Sequence, residues 1–224
     1  GKKIDEMNTK CRMDRSRLPS PIALAVNQIP INDLIEAQSL RDMMFEINQL
    51  FEKHKPAKIF AHNAPFDFRF CHSGHFQTLT TDDWYQWKTG GNMLIDTLEL
   101  IRAIYSFKRD FRTLQIPKTQ NNLPQFGLEA LSKANGLSYQ SHEAEGDVKS
   151  LRDLFSLMKN EAPEIVSRAF CSAEKKEAER ITKYSMFFCT TTGAGRTLKA
   201  RPLVPLAKNI IGNLITQKKR VGIS

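Results

Sequence analysis

His142-Glu143-Ala144-Glu145-Gly146-Asp147 places a histidine and an aspartate five residues apart, with a small alanine between them. A second acidic segment lies upstream, His62-Asn63-Ala64-Pro65-Phe66-Asp67, directly after the short, largely apolar run 57–61. An aspartate just past a buried strand and a His/Asp pair opening a helix suit phosphodiester chemistry with two metal ions. Carboxylates hold the divalent ions, and a histidine titrating near neutrality takes a proton from the attacking water. The sequence supplies two such carboxylates, Asp67 and Asp147, where the chemistry calls for about four.

Helix geometry constrains this reading. Five helical residues turn through about 500° and rise about 7.5 Å, so His142 and Asp147 do not share a face of a regular helix. They converge if His142 lies in the frayed first turn or the loop before it, with Ser141 as the cap. Ala144 then lets the helix approach a sheet. Each acid also has an ordinary alternative at a helix N-terminus, where it complements the macrodipole. Asp96 and Glu99 form a capping box ahead of Leu98, Leu100, Ile101, Ile104 and Tyr105, and Asp96 is assigned to structure. Glu143, Glu145 and Lys133 are expected to face solvent. Gly193-Ala194-Gly195 is too short for a phosphate-cradling loop, and no Walker pattern occurs.

The 224 residues, 41% hydrophobic, suffice for one full core and the start of a second. No apolar run approaches the roughly 20 residues of a membrane span and no signal-peptide pattern opens the sequence, so a cytoplasmic protein without a membrane partner is expected. Four scattered cysteines without a CxxC pair read as reduced thiols. The net charge of +9 is uneven: residues 171–224 carry 11 Lys/Arg against 3 Asp/Glu, and residues 1–170 carry 22 against 21. A near-neutral unit followed by a basic extension suggests a catalytic domain with a polyanion-binding appendage, the alternative being a passive solvated tail.

Strands and helices alternate. A strand is expected near residues 5–13 and another at 57–61. Helices are expected from Pro21, from Ser39 with the stripe Leu40, Met43, Met44, Ile47, Leu50 and Phe51, and over Gly127–Gly136. A longer helix from about Ser141 buries Val148, Leu151, Leu154, Phe155 and Met158. Residues 161–184 read as charged helix, Tyr184–Thr190 as a strand, Thr191–Gly195 as a turn and Leu203–Leu206 as a returning strand. The class is α/β.

In order, these segments resemble the DEDD superfamily of 3′→5′ exonucleases in its histidine-containing branch. Asn63 to Asp67 looks like its second motif and His142 to Asp147 like its third, His-x-Ala-x-x-Asp. The run Leu123-Pro124-Gln125-Phe126-Gly127-Leu128-Glu129-Ala130-Leu131-Ser132-Lys133-Ala134-Asn135-Gly136 is similar to a segment of the bacterial exonuclease I family. That resemblance implies a ribonuclease H-like mixed sheet flanked by helices over residues 1–165, a helical linker over 166–181 and the start of an SH3-like domain over 182–224. It implies a monomeric enzyme that degrades single-stranded DNA with two Mg²⁺ ions, for which Mn²⁺ substitutes, and a single-strand DNA-binding protein as a further partner. Asp67 and Asp147 would be metal ligands, His142 the general base, and Asn63, Phe66, Lys183 and Arg196 nucleic-acid contacts. The family's first motif, Asp-x-Glu, is not found in residues 1–17. It is expected upstream, with two further strands, so that the 224 residues alone are expected to be inactive and poorly folded. An exoribonuclease of similar fold and a non-catalytic single-strand binding module are the alternatives.

Overall fold

A computed structural model describes residues 3–203 apart from 15, 17, 18, 28, 81–89, 109, 138–143, 185–187 and 193–198. The elements run α1 (Pro21–Asn27), α2 (Ile31–Glu36), α3 (Leu40–His54), β1 (Lys58–Ala61), α4 (Ala64–Thr78), β2 (Met93–Asp96) and α5 (Thr97–Phe107). They continue with α6 (Leu128–Ala134), α7 (Ala144–Glu161), α8 (Pro163–Ala173), α9 (Lys175–Tyr184), β3 (Phe188–Thr192) and β4 (Lys199–Leu203). No helix among the described residues is long and apolar enough to cross a membrane.

Ser39 caps α3 as its sequence requires, its hydroxyl accepting from the Asp42 amide at 3.1 Å. The expected stripe faces inward, with Met44 buried and its neighbours half-buried. Met44 lies across Gly74 of α4 so closely that a Cβ there would sit 2.5 Å from its sulfur.

β1 and β2 pair in parallel, from Lys58 with Met93 to Ala61 with Asp96, and α4 lies in the crossover between them. The alternation of side chains along a strand divides the interior into two layers. Ile59, Ala61 and Leu94 pack on Ala64 and Phe68 of α4, while Phe60, Met93 and Ile95 join the core formed by α5, α6, α7 and α8. Leu100, Ile101, Ile104, Leu131, Leu154, Met158 and Val166 fill that larger core.

The loop after α5 is held from below by a buried acid. Glu161, at the end of α7, accepts from the amides of Arg112, Thr113 and Leu114 and from the Thr113 hydroxyl. Lys108 Nζ lies 3.0 Å from the same carboxylate.

Several expectations are corrected. Residues 5–13 form no strand: their backbone makes an isolated parallel bridge between Cys11 and Gln38, with Arg12 N donating to Gln38 O at 2.7 Å, and Met13 N donates to Leu34 O at 3.0 Å. Val148 is 67% exposed, because it projects from α7 away from the side carrying Leu154 and Met158. The C-terminal elements are shifted: α9 continues to Tyr184, β3 takes in Thr191 and Thr192, and β4 begins at Lys199, while residues 204–206 of the expected returning strand lie outside the described residues. β3 and β4 form an antiparallel pair, Phe188 opposite Leu203, whose backbone runs close to α5. The described sheet of the main body is the parallel pair β1–β2.

Candidate active site

The carboxyl ends of β1 and β2 carry the site. β1 hands the chain to a two-residue turn, His62-Asn63. Asn63 takes the left-handed conformation (φ 68°, ψ 50°), which asparagine tolerates better than most residues. Its amide donates to Asp96 Oδ1 at 3.0 Å, and the same oxygen accepts from Leu98 N at 3.0 Å, capping α5. Asp96 is thus the cap the sequence indicated and also a clamp on the turn. Glu99 does not complete the capping box; it pairs instead with Arg102 at 2.6 Å.

Phe66 N donates to Asn63 O at 2.9 Å, so α4 starts directly from the turn and Asp67 falls in its first turn. Partial burial, and then the neighbouring Asp96 carboxylate, push the Asp67 carboxyl above its ordinary range, against a hydrogen bond from its own backbone N–H. Phe66 is 56% exposed, its ring meeting that of Phe70 edge-on at 5.0 Å.

The His62 ring spans two partners, with Nε2 2.8 Å from Phe126 O and Nδ1 3.0 Å from Thr97 Oγ1. A carbonyl only accepts, so Nε2 carries the proton. Burial pushes the imidazole below its ordinary pKa, against the Phe126 carbonyl and the Asp96 and Asp67 charges. A cavity of about 490 Å³ opens beside it, lined by His62, Asn63, Leu98, Arg102, Pro124, Phe126 and Gly127.

Asp147 lies in the first turn of α7, half-buried, and its Oδ1 is buried without a hydrogen-bond partner. A buried carboxylate oxygen left unpaired is costly unless a cation or donor reaches it. This donor set, two carboxylates of which one has an orphaned oxygen, fits an oxygen-preferring divalent ion. Among the described residues no group of three or more His, Cys, Asp or Glu side chains is assembled for a metal.

The structure therefore gathers Asn63, Phe66 and Asp67 at the start of α4, and places Asp147 on α7. His142 and Arg196 lie outside the described residues, and Lys183 falls on α9. Sequence reasoning gave no role to His62, Thr97 or Arg102. The one available signal was Asp96-Thr97 following the apolar tripeptide Met93–Ile95, a second strand end beside the first.

No family model matches the chain. Exodeoxyribonuclease I of Buchnera aphidicola subsp. Schizaphis graminum is 25% identical over 173 residues, covering 76% of this chain and 35% of that protein. The Escherichia coli enzyme of the same name is 25% identical over 167 residues, covering 74% and 34%. The chain is homologous to exodeoxyribonuclease I over this stretch. The fold agrees: E. coli exonuclease I in complex with a dA16 oligonucleotide superposes with a TM-score of 0.68 at 24% identity, over 76% of this chain and 36% of that one. An SSB/exonuclease I structure with the inhibitor CFAM gives 0.68 at 24% identity, over 76% and 37%. The chain spans about a third of the length of the exonuclease I relatives it matches.

Proposed function

We propose that this chain is the nuclease part of a metal-dependent 3′→5′ exonuclease that degrades single-stranded DNA to nucleoside monophosphates in the cytoplasm. The observation that carries the reading is the orphaned Oδ1 of Asp147 on the helix that bears one motif, within a fold whose other motif puts Asp67 in the first turn of the helix after β1. Asp67 and Asp147 would contribute to binding two Mg²⁺ or Mn²⁺ ions. When bound, such ions lower the pKa of a coordinated water and neutralise charge on a phosphodiester. His142, five residues before Asp147, is the group to accept the water's proton. Asn63 and exposed Phe66 flank Asp67, where Phe66 offers a face on which a terminal base stacks. Lys183 and Arg196 belong to the basic stretch, which neutralises phosphates. The known complexes of exonuclease I with an oligonucleotide and with SSB support single-stranded DNA as substrate and a single-strand DNA-binding protein as partner; the enzyme is proposed to act as a monomer.

The test is Mn²⁺ binding followed by electron paramagnetic resonance, together with oligonucleotide binding over a range of salt. Asp67→Asn and Asp147→Asn should each abolish Mn²⁺ binding. Removal of the charges at Lys175, Lys176, Lys183 and Arg196 should flatten the salt dependence of DNA affinity. Unchanged Mn²⁺ binding in both aspartate variants refutes the metal assignment. The exposed Phe66–Phe70 pair and the basic stretch need no metal, and they favour a second reading as a single-strand binding module. Salt-dependent DNA binding without Mn²⁺ binding would decide for that module, and a preference for RNA oligonucleotides would decide for an exoribonuclease.

A further inference from the structure

The two carboxylates assigned to metal binding stand on different parts of the molecule. Asp67 opens α4, which packs on α3 and β1, whereas Asp147 opens α7, which packs on α5, α6 and α8. The His62 ring is hydrogen-bonded between elements of these two parts. On one side His62 belongs to the turn that launches α4. On the other its Nε2–H donates to the carbonyl of Phe126, one residue before Gly127, the N-cap of α6. α6 in turn packs on α7.

We propose that His62 is a positioning residue that ties the Asp67 side of the site to the Asp147 side through the Phe126 carbonyl. Its functional importance rests on the metal assignment above; the tie itself does not.

The carbonyl it grips is well fixed. Phe126 is buried, and the loop before it is closed by Thr119 N to Leu123 O at 2.8 Å and Gln125 N to Pro117 O at 2.8 Å. Asn135, just past α6, donates to Gln115 O and accepts from Gln115 N, both at 2.8 Å, so the loop is anchored at its far end too. The other end of the tie is equally constrained. Thr97 is fully buried, and its hydroxyl lies 3.0 Å from His62 Nδ1 and 3.1 Å from Ala61 O. With Nε2 protonated, Nδ1 accepts, and the single Thr97 proton is shared between Nδ1 and Ala61 O. The ring is therefore locked in one tautomer and one orientation. Burial keeps it neutral, which suits a tie rather than an acid or base.

Amide hydrogen exchange on the whole chain tests this, with His62→Leu and His62→Gln. In His62→Leu, exchange should accelerate about 10-fold or more at both Asn63, which donates to Asp96, and Leu131, which donates to Gly127 in the first turn of α6. Ala162 and Val166, in the large core, should stay within about 2-fold. In His62→Gln, the side-chain amide still reaches the Phe126 carbonyl and should restore protection at Leu131. Acceleration at Asn63 alone, an equal change at all four amides, or no change overturns the tie. Mn²⁺ affinity is the second readout: it should fall about 10-fold in His62→Leu and recover in His62→Gln. If the unmodified chain binds no Mn²⁺ while the exchange pattern appears, the tie stands and the metal assignment fails. If Mn²⁺ binds with the same affinity in all three proteins, His62 does not position the carboxylates and the proposal is wrong.

Discussion

Replacing Glu161 by glutamine should destabilise the protein by about 3 kcal/mol at neutral pH, through lost charge-assisted hydrogen bonds and one misplaced donor. The Glu161 side chain is 1% exposed. Its Oε2 accepts from Thr113 N at 2.6 Å, Thr113 Oγ1 at 2.8 Å, Leu114 N at 3.0 Å and Arg112 N at 3.1 Å. Its Oε1 also takes Arg112 N at 3.1 Å and meets Lys108 Nζ at 3.0 Å. Glutamine keeps one acceptor oxygen. Placed at Oε2, that oxygen preserves the contacts to the loop but leaves an amide group facing the Lys108 ammonium and the Arg112 amide. Glu161→Ala removes every acceptor and orphans three backbone amides, so its loss should be larger, about 4–5 kcal/mol. Urea unfolding at pH 7 reads both.

Acid sharpens the experiment. Burial alone would raise the Glu161 carboxyl, but the Thr113, Leu114 and Arg112 donors overcome it and hold the group well below its ordinary 4.5. The folded value being the lower, the stabilisation is complete above the unfolded pKa and is lost as pH falls below about 4.5. The gap between the native chain and Glu161→Gln should therefore narrow steadily from pH 5 downward. A gap under about 1 kcal/mol at pH 7, or one that stays constant into acid, would show that the carboxylate's charge is not what holds the loop.

Asp147→Asn should raise metal-free stability by about 1 kcal/mol, measured by thermal unfolding without divalent ions, because a neutral amide is cheaper to bury beside no partner. Gly74→Val should cost about 1–3 kcal/mol by driving a side chain into the Met44 sulfur, and Met44→Ala in the same protein should recover part of it in urea unfolding. Asn63→Val should cost about 2 kcal/mol from its left-handed backbone, while Asn63→Gly should lie within about 0.5 kcal/mol of the native chain in the same assay.

Much of the helical framework was legible because it rests on local chemistry. Ser39 before an apolar stripe, Asp96 before Leu98, and Leu154 and Met158 on one face of a long helix each state their own environment. β2 escaped notice because its four residues are too short for a periodic signal, and only pairing with β1 makes them a strand. The extended stretch 5–13 was misread for the converse reason: its residues have strand character, but a strand needs a ladder, and here the backbone has one bridge. Val148 misled because one apolar residue near a helix start carries no phase information by itself. In the site, Asp67 and Asp147 follow from motif spacing. His62 does not, because its importance lies in a carbonyl 64 residues away that no local pattern announces.

The parallel pairing of β1 with β2 also sets an order of events during synthesis. Ala61 meets its partner Asp96 only after 35 more residues have left the ribosome, which takes about 2–7 s at bacterial and eukaryotic elongation rates. Until then Ile59 and Phe68 lack the cover of Leu94 that completes their layer. Collapse of a short segment takes microseconds, so Ile59 and Phe68 wait for that cover about a million times longer than local collapse takes. The crossover topology that brings the two strand ends together thus leaves this apolar layer open for seconds of synthesis.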